Sequence, residues 1–467
     1  MISLKSLFIA VLLLSCTHLV NAQEYWQGQY NSKRLLLSKT VNTTMQDSLH
    51  LSSPENMYDS MPLAQDIVGD SLVLTNETFG KILKLNELYG DSIRVRFTDY
   101  GNTYNIKFRR VTGLQPLMFP QHPKGDLPYS IKEIEFKGEK TKLTYGGTLV
   151  IPKETKNYPL AFLLNGTGQQ DRNYTYSGHQ FFTVLADALA RSGIASFRMD
   201  DRGIGGTTGD FQQATIEDFV MDLEDAKTHL KDQKYIDAEY MGIIGHSEGG
   251  VVASIASAKD KDLKFMVSLS GVGVNGLKIL DLQNTAILKA YQIPDTTVVH
   301  QMDLFNNLFK TVYTNQNPDS LEAELNTTVK TWMHGKNQEL LKAVQLADGR
   351  DQNLVYRFYS NAKSDAYQYM LHYEPQDFLP DIKIPVLAIN GGSDILVPAE
   401  ENLAGFKKYL TNSSDFSFKI YPGLNHMYQH CTTCTSEEIK TLDEVFAPEV
   451  LNDISKWIIN NYNNHKE

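Results

Sequence analysis

The sequence predicts an α/β chain: a mostly parallel sheet with helices on both faces, a helical insertion late in that sheet, and a small β-rich domain in front. Three observations carry this. From residue 129 onward, apolar strand-length runs alternate with amphipathic helical runs. Between about 275 and 375 the alternation stops and only helical patterns occur. Ahead of it, residues 23–115 hold short alternating or β-branched runs punctuated by turn residues.

Taken in order, residues 1–22 read as a secretory targeting segment. Lys5 supplies the positive start, Leu7 to Leu14 the apolar run, and Val20-Asn21-Ala22 a small-residue cleavage site before Gln23. The run is short for a membrane span. Cys16, after Leu13-Leu14-Ser15, offers a lipid-anchored alternative, which the awkward Leu14 and the better Val-x-Ala site disfavour. The expected protein is therefore exported, periplasmic or extracellular. The β-rich domain has strand-like runs at Ser32 to Val41, Ser71 to Leu74, Lys81 to Leu85, Ser92 to Phe97 and Thr103 to Arg110, which suggest an antiparallel sheet curled into a partial barrel. Residues 116–128, with Pro116, Pro120, Pro123 and Pro128, read as a linker.

The α/β domain is expected over residues 129–467. Ile131 to Phe136 and Lys142 to Ile151 read as an antiparallel pair, and Leu160 to Asn165 as a buried third strand. Phe181 to Ser192 is an amphipathic helix, Ile194 to Met199 a strand, Ile216 to Gln233 a long amphipathic helix, and Phe265 to Ser270 a further strand. Helical patterns at Leu277 to Tyr291, Met302 to Tyr313, Ser320 to Trp332 and Glu339 to Leu346 would form a cap over the strand ends, where it controls access. Ile384 to Asn390 and Phe416 to Tyr421 are the closing strands.

Between the second long helix and the next strand lies Gly242-Ile243-Ile244-Gly245-His246-Ser247-Glu248-Gly249-Gly250. An apolar strand, a turn flanked by glycines and a helix expected from Val251 fit a Gly-x-Ser-x-Gly nucleophile turn. The helix N-terminus puts the Glu248 N–H where an oxyanion forms. A nucleophilic serine needs a base and an orienting acid, following in chain order on this architecture. Asp394 follows the strand Ile384 to Asn390, and His426 follows Phe416 to Tyr421. Ser247, Asp394 and His426 are the expected triad. The charges of Asp200-Asp201-Arg202 read as a structural turn network.

These stretches, with Gly166-Thr167-Gly168-Gln169-Gln170-Asp171-Arg172, Asp200-Asp201-Arg202-Gly203-Ile204-Gly205, Pro422-Gly423-Leu424-Asn425-His426 and Phe446-Ala447-Pro448-Glu449-Val450, resemble bacterial α/β-hydrolase serine esterases over about residues 129 to 464. The resemblance implies a second oxyanion donor, the N–H of Thr167, where that group usually carries Ser. It also implies cleavage of carboxylic esters of small substrates, with neither metal nor organic cofactor. A serine peptidase or thioesterase on the same fold is the alternative, and a non-catalytic binding module a further one that the intact Ser, Asp and His disfavour.

Composition narrows the partners. Asp and Glu outnumber Lys and Arg by 55 to 44, and no basic block occurs along the chain, which argues against nucleic acid. Of three cysteines, Cys431 and Cys434 lie beyond the targeting segment. In an oxidising compartment a local disulfide is the plainest reading of Cys-Thr-Thr-Cys; zinc would want a second such pair or free histidines nearby.

Overall fold

The computed structural model describes residues 23–30, 33–40, 48–53, 58–76, 81–85, 91–99, 102–112, 119–153, 155–315, 317–347 and 349–467. The expected targeting segment, with Cys16, lies outside them. Two compact units divide the chain, Met1–Pro116 and Leu117–Glu467.

The first unit is a closed antiparallel barrel of eight strands: β1 (Gln23–Tyr30), β2 (Lys33–Thr40), β3 (Ser48–Ser53), β4 (Tyr58–Val68), β5 (Ser71–Asn76), β6 (Lys81–Leu85), β7 (Ser92–Asp99) and β8 (Asn102–Val111). Closure comes from pairing of β1 with β8, with Trp26 opposite Arg110. Closing removes the exposed edges that an open sheet would carry. Alternate residues fill the interior, with Trp26, Leu37, Leu51, Leu74, Leu83, Phe97 and Phe108 all buried. The sequence suggests a partial barrel; the structure adds β1, β3 and β4 and shuts it.

In the second unit, β9 (Ser130–Lys137) and β10 (Thr144–Ile151) form the antiparallel entry pair. Then come β11 (Tyr158–Leu164), the short hairpin β12 (Thr175–Tyr176) and β13 (His179–Gln180), α1 (Phe181–Arg191), β14 (Ala195–Met199), α2 (Ile216–Leu230), β15 (Ile236–His246), α3 (Glu248–Lys259) and β16 (Met266–Leu269). After an excursion of six helices, α4 (Gly276–Ala290), α5 (Asp295–Thr314), α6 (Pro318–Met333), α7 (Gln338–Ala343), α8 (Asp351–Ala362) and α9 (Asp365–Leu371), the chain re-enters the sheet as β17 (Val386–Gly391). It ends with α10 (Ala399–Tyr409), β18 (Phe416–Tyr421), α11 (Ser436–Ile439) and α12 (Pro448–Lys466).

The sheet order is β18-β17-β16-β15-β11-β14-β10-β9, parallel from β14 to β18. Its central strands are buried on both faces, which is why Leu160 to Leu164 and Ile243 to Gly245 read as continuous apolar runs. Two clusters cover its two faces. The inserted helices have a core of their own, with Leu304, Leu308, Leu325, Val329 and Phe358 buried among them.

Residues 119–128, expected as linker, belong to the second unit. The Gln121 side chain accepts from the N–H groups of Val445 and Phe446 at 2.6 and 3.0 Å. The ring of Phe119 packs on His122 and His179.

Candidate active site

Four loops at the carboxyl ends of β11, β15, β17 and β18 carry the expected site residues. Ser247 follows β15 directly, and α3 begins at Glu248, three residues earlier than the apolar pattern suggests. Ser247 has φ 55° and ψ −118°, a region L-residues rarely adopt. Close backbone packing enforces the turn. A Cβ on Gly245 would sit 2.1 Å from the Gly249 carbonyl oxygen, and one on Gly249 would sit 2.4 Å from that of Leu164. Only glycine fits either place, so the motif's spacing is a steric requirement of this bend.

Asp394 and His426 are brought together. His426 Nδ1 donates to Asp394 Oδ2 at 2.7 Å, with the carboxylate fully buried. The other oxygen, Oδ1, accepts the N–H groups of Leu396 and Val397, both at 2.8 Å. Three donors on one carboxylate hold it in a single orientation. The bond at Nδ1 leaves Nε2 of the neutral ring as the acceptor. His430, four residues on, is half-exposed and directed at Glu444 and Glu449 instead.

Ser247, His426, Thr167 and Glu248 all border one cavity of about 660 Å³. Its remaining wall is largely apolar, with Val272, Ile279, Leu280, Met370 and Met427 prominent. Leu280 and Met370 come from the inserted helices, so the insertion does roof the pocket. Among the described residues, neither the Thr167 N–H nor the Glu248 N–H donates to a protein acceptor. Both are therefore open to a ligand.

The loop bearing Thr167 is pinned from beneath. Arg172 pairs with Asp200 and Glu133, and Asp200 also accepts from the N–H groups of Arg172 and Gly206 at 2.9 and 2.8 Å. Asp201 accepts from the Asn165 amide at 3.0 Å and the Gln170 N–H at 2.7 Å. Arg202 reaches across to Asp218 and Asp222 at 2.9 and 2.8 Å. The charged turn is a structural network, as its sequence suggests.

Two further side chains beside the serine complete the site. His246 is completely buried behind the serine. Its Nε2–H donates to the His426 carbonyl at 2.9 Å, and the Tyr174 hydroxyl donates to its Nδ1 at 3.1 Å. Burial holds its pKa well below the usual histidine value, so it stays neutral and braces the backbone of His426. The motif allows any residue at that place, so only the fold reveals the role. The second feature is the Glu248 side chain. It is buried, accepts from Thr167 Oγ1 at 3.2 Å, and burial raises its pKa to about 7. Asp201 is likewise raised to about 7, by burial first and by the Glu248 charge in part.

A doubly wound sheet with a serine on a strained strand-to-helix turn, and a buried Asp–His pair at the ends of two later strands, defines an α/β-hydrolase. Within that class the chain belongs to the serine aminopeptidase S33 family, whose model matches residues 177–430, just over half of the chain and all three of Ser247, Asp394 and His426. A proline iminopeptidase of Lactobacillus helveticus is 22% identical over 284 residues, covering 60% of this chain and 86% of that protein. Among solved structures, the esterase Pf2001 of Pyrococcus furiosus is 15% identical, covers 71% of this chain and 93% of its own, and has a TM-score of 0.41. The proline iminopeptidase of Mycobacterium smegmatis is 16% identical, with 71% and 98% covered and a TM-score of 0.42. Likenesses this weak do not define a substrate.

Cys431 and Cys434 are joined as a disulfide in the loop between His426 and α11. Among the described residues no group of three or more His, Cys, Asp or Glu is arranged to hold a metal ion.

Proposed function

We propose that the protein is a serine hydrolase of carboxylic esters of small substrates. Ser247 Oγ attacks the acyl carbon while His426 Nε2 takes its proton. The N–H groups of Glu248 and Thr167 hold the oxyanion of the tetrahedral intermediate. As that collapses, His426 returns the proton to the departing alkoxide, leaving an acyl-enzyme on Ser247. Water, deprotonated by His426, then releases the acid. Asp394 keeps His426 in the required tautomer and stabilises its imidazolium form.

The observation that favours esters over amino-terminal peptide bonds is the pocket wall. An aminopeptidase must bury a free ammonium group, which demands a firmly charged carboxylate partner. Among the lining residues Glu248 is the sole carboxyl, and it already accepts from the Thr167 hydroxyl, while most of the remaining wall is apolar. The family description and the proline iminopeptidase relatives keep the peptidase reading as the second one. The purified enzyme is expected to cleave p-nitrophenyl acetate and butyrate with far higher kcat/KM than alanyl or prolyl p-nitroanilides. Preference for either anilide would overturn the ester assignment while keeping the triad. The same reading puts the protein outside the cytoplasm, on the strength of residues 1–22 and of a disulfide suited to an oxidising compartment.

A further inference from the structure

The first unit carries a charge pattern that its barrel makes and its sequence hides. Strict alternation puts Leu83, Leu85, Ile93, Val95, Phe97, Ile106 and Phe108 inside, so Lys84, Arg94, Arg96, Lys107 and Arg109 all stand on the outer face of β6, β7 and β8. The register sets like charges directly against one another. Lys84 faces Arg96, and Arg94 faces Lys107. Side chains so paired have Cβ atoms about 5 Å apart, and like charges there destabilise the sheet.

Nothing in the described structure neutralises them: none of the five forms an ion pair with a carboxylate, whereas Arg110, the next residue of β8, pairs with Glu24. Lys84, Arg94, Arg96 and Lys107 line a surface cleft of about 760 Å³ that has no acidic residue in its wall. General basicity is not the cause. Residues 23–116 hold ten Lys and Arg against ten Asp and Glu, and the whole chain is acidic. Half of the unit's cations have been gathered on the outer face of three neighbouring strands.

The borders of this patch carry exposed apolar side chains, with the exposed carboxylates Asp66 and Asp70 on either side of the hairpin tip. Ile82 lies on the same outer face as Lys84 and is 42% exposed. At the tip of the β4–β5 hairpin Ile67 is 76% and Val68 54% exposed, and Val68 pairs with Ser71, which lines the cleft. A soluble polyanion would reward the cations alone. A bilayer surface rewards both, because headgroup phosphates take the cations and the headgroup–acyl boundary takes the apolar tip.

We propose that this face of the barrel docks on an anionic membrane surface, with Lys84, Arg94, Arg96, Lys107 and Arg109 against lipid phosphates and Ile67 and Val68 inserted beside them. The contact is peripheral and independent of the hydrolase chemistry.

Cosedimentation of the purified full protein with vesicles tests it. Binding is expected to phosphatidylcholine vesicles containing phosphatidylglycerol and not to pure phosphatidylcholine, and to fade as salt is raised. Each surface cation contributes about fivefold to partitioning, so Arg94→Glu with Lys107→Glu should lower it by at least about 25-fold. Ile67→Ser with Val68→Ser should weaken binding while preserving its salt dependence. Far-ultraviolet circular dichroism and a cooperative melt matching the wild type report that the barrel of each variant is folded; ester turnover cannot, because residues 167–439 form the whole catalytic cavity. Equal binding to both vesicle types, or binding untouched by the charge reversals in folded protein, would overturn the proposal. Retention on heparin without any vesicle binding would also overturn it, and would assign the patch to a soluble polyanion.

Discussion

Ser247, Asp394 and His426 are each ordinary residues made unusual by what surrounds them. The serine's positive φ is imposed by backbone on both sides, and the aspartate's orientation is fixed by three donors. Ser247→Ala should lower ester turnover by about 10⁶ in kcat. Asp394→Asn should lower kcat by about 10⁴, because an amide can present its NH₂ to Nδ1 and favour the wrong tautomer. Near-wild-type rates in either variant would remove that residue from the mechanism. Glu248 makes a separate, thermodynamic prediction. Its folded pKa, about 7, lies above the ordinary 4.5, so the native state holds a proton that the unfolded chain releases. Its contribution is complete below pH 4.5 and is lost as pH rises through 7, a loss on the order of 3 kcal/mol. Melting temperatures measured across that window should fall more steeply for the wild type than for Glu248→Gln. Parallel curves would show that the carboxyl is not buried in solution as it is in the structure.

At the scale of elements, what could be read in the sequence is what repeats or is sterically forced. The strands that meet at the site are continuous apolar runs because both their faces are covered, and the glycines of the nucleophile turn have no substitute. Helices α8 and α9 fall inside the stretch expected to be helical, yet α8 shows no clear apolar stripe because it is polar around most of its circumference, with only Val355, Phe358 and Ala362 buried. The apolar pattern starts α3 late because glycines at its first turn look like loop; here they sit inside a helix because no side chain fits where Gly249 meets the end of β11 and Gly250 meets Gly271. In the barrel, Pro62 argues against a strand, yet β4 runs through it: its carbonyl accepts from the Asn76 side chain, and pairing with β3 is irregular beside it. The loop after β18 makes its own prediction. Its backbone is held by Glu438, which accepts the N–H groups of Thr432, Thr433 and Cys434 at 2.8, 2.7 and 2.6 Å, and by His246 at the His426 carbonyl. The disulfide closes only a four-residue loop, worth about 2 kcal/mol in chain entropy. Replacing Cys431 and Cys434 together by Ser should therefore cost about that much stability and leave kcat/KM close to wild type. A loss of more than about tenfold in kcat/KM would mean the bridge positions His426 directly.

The chain divides into two compact units, Met1–Pro116 and Leu117–Glu467. Every residue assigned to the active site lies between Thr167 and His426, and every wall of the catalytic cavity comes from residues 167–439. The barrel's core contains only its own residues, from Trp26 to Phe108, and the clusters of the second unit contain none of them. Eight strands that close on themselves need no neighbouring sheet to satisfy their edges. It follows that chemistry and barrel should be separable. A protein beginning at Leu117 should fold and hydrolyse p-nitrophenyl butyrate with kcat/KM within about twofold of the full chain, as expected for parts that share no site residues. The comparison needs one control, since an unfolded fragment would also be inactive: the truncated protein must melt cooperatively. If it does, and kcat/KM falls by more than about tenfold, then the barrel takes part in forming or gating the pocket. If activity persists, whatever the first unit contributes must be sought in where the enzyme is held and not in how it cleaves its substrate.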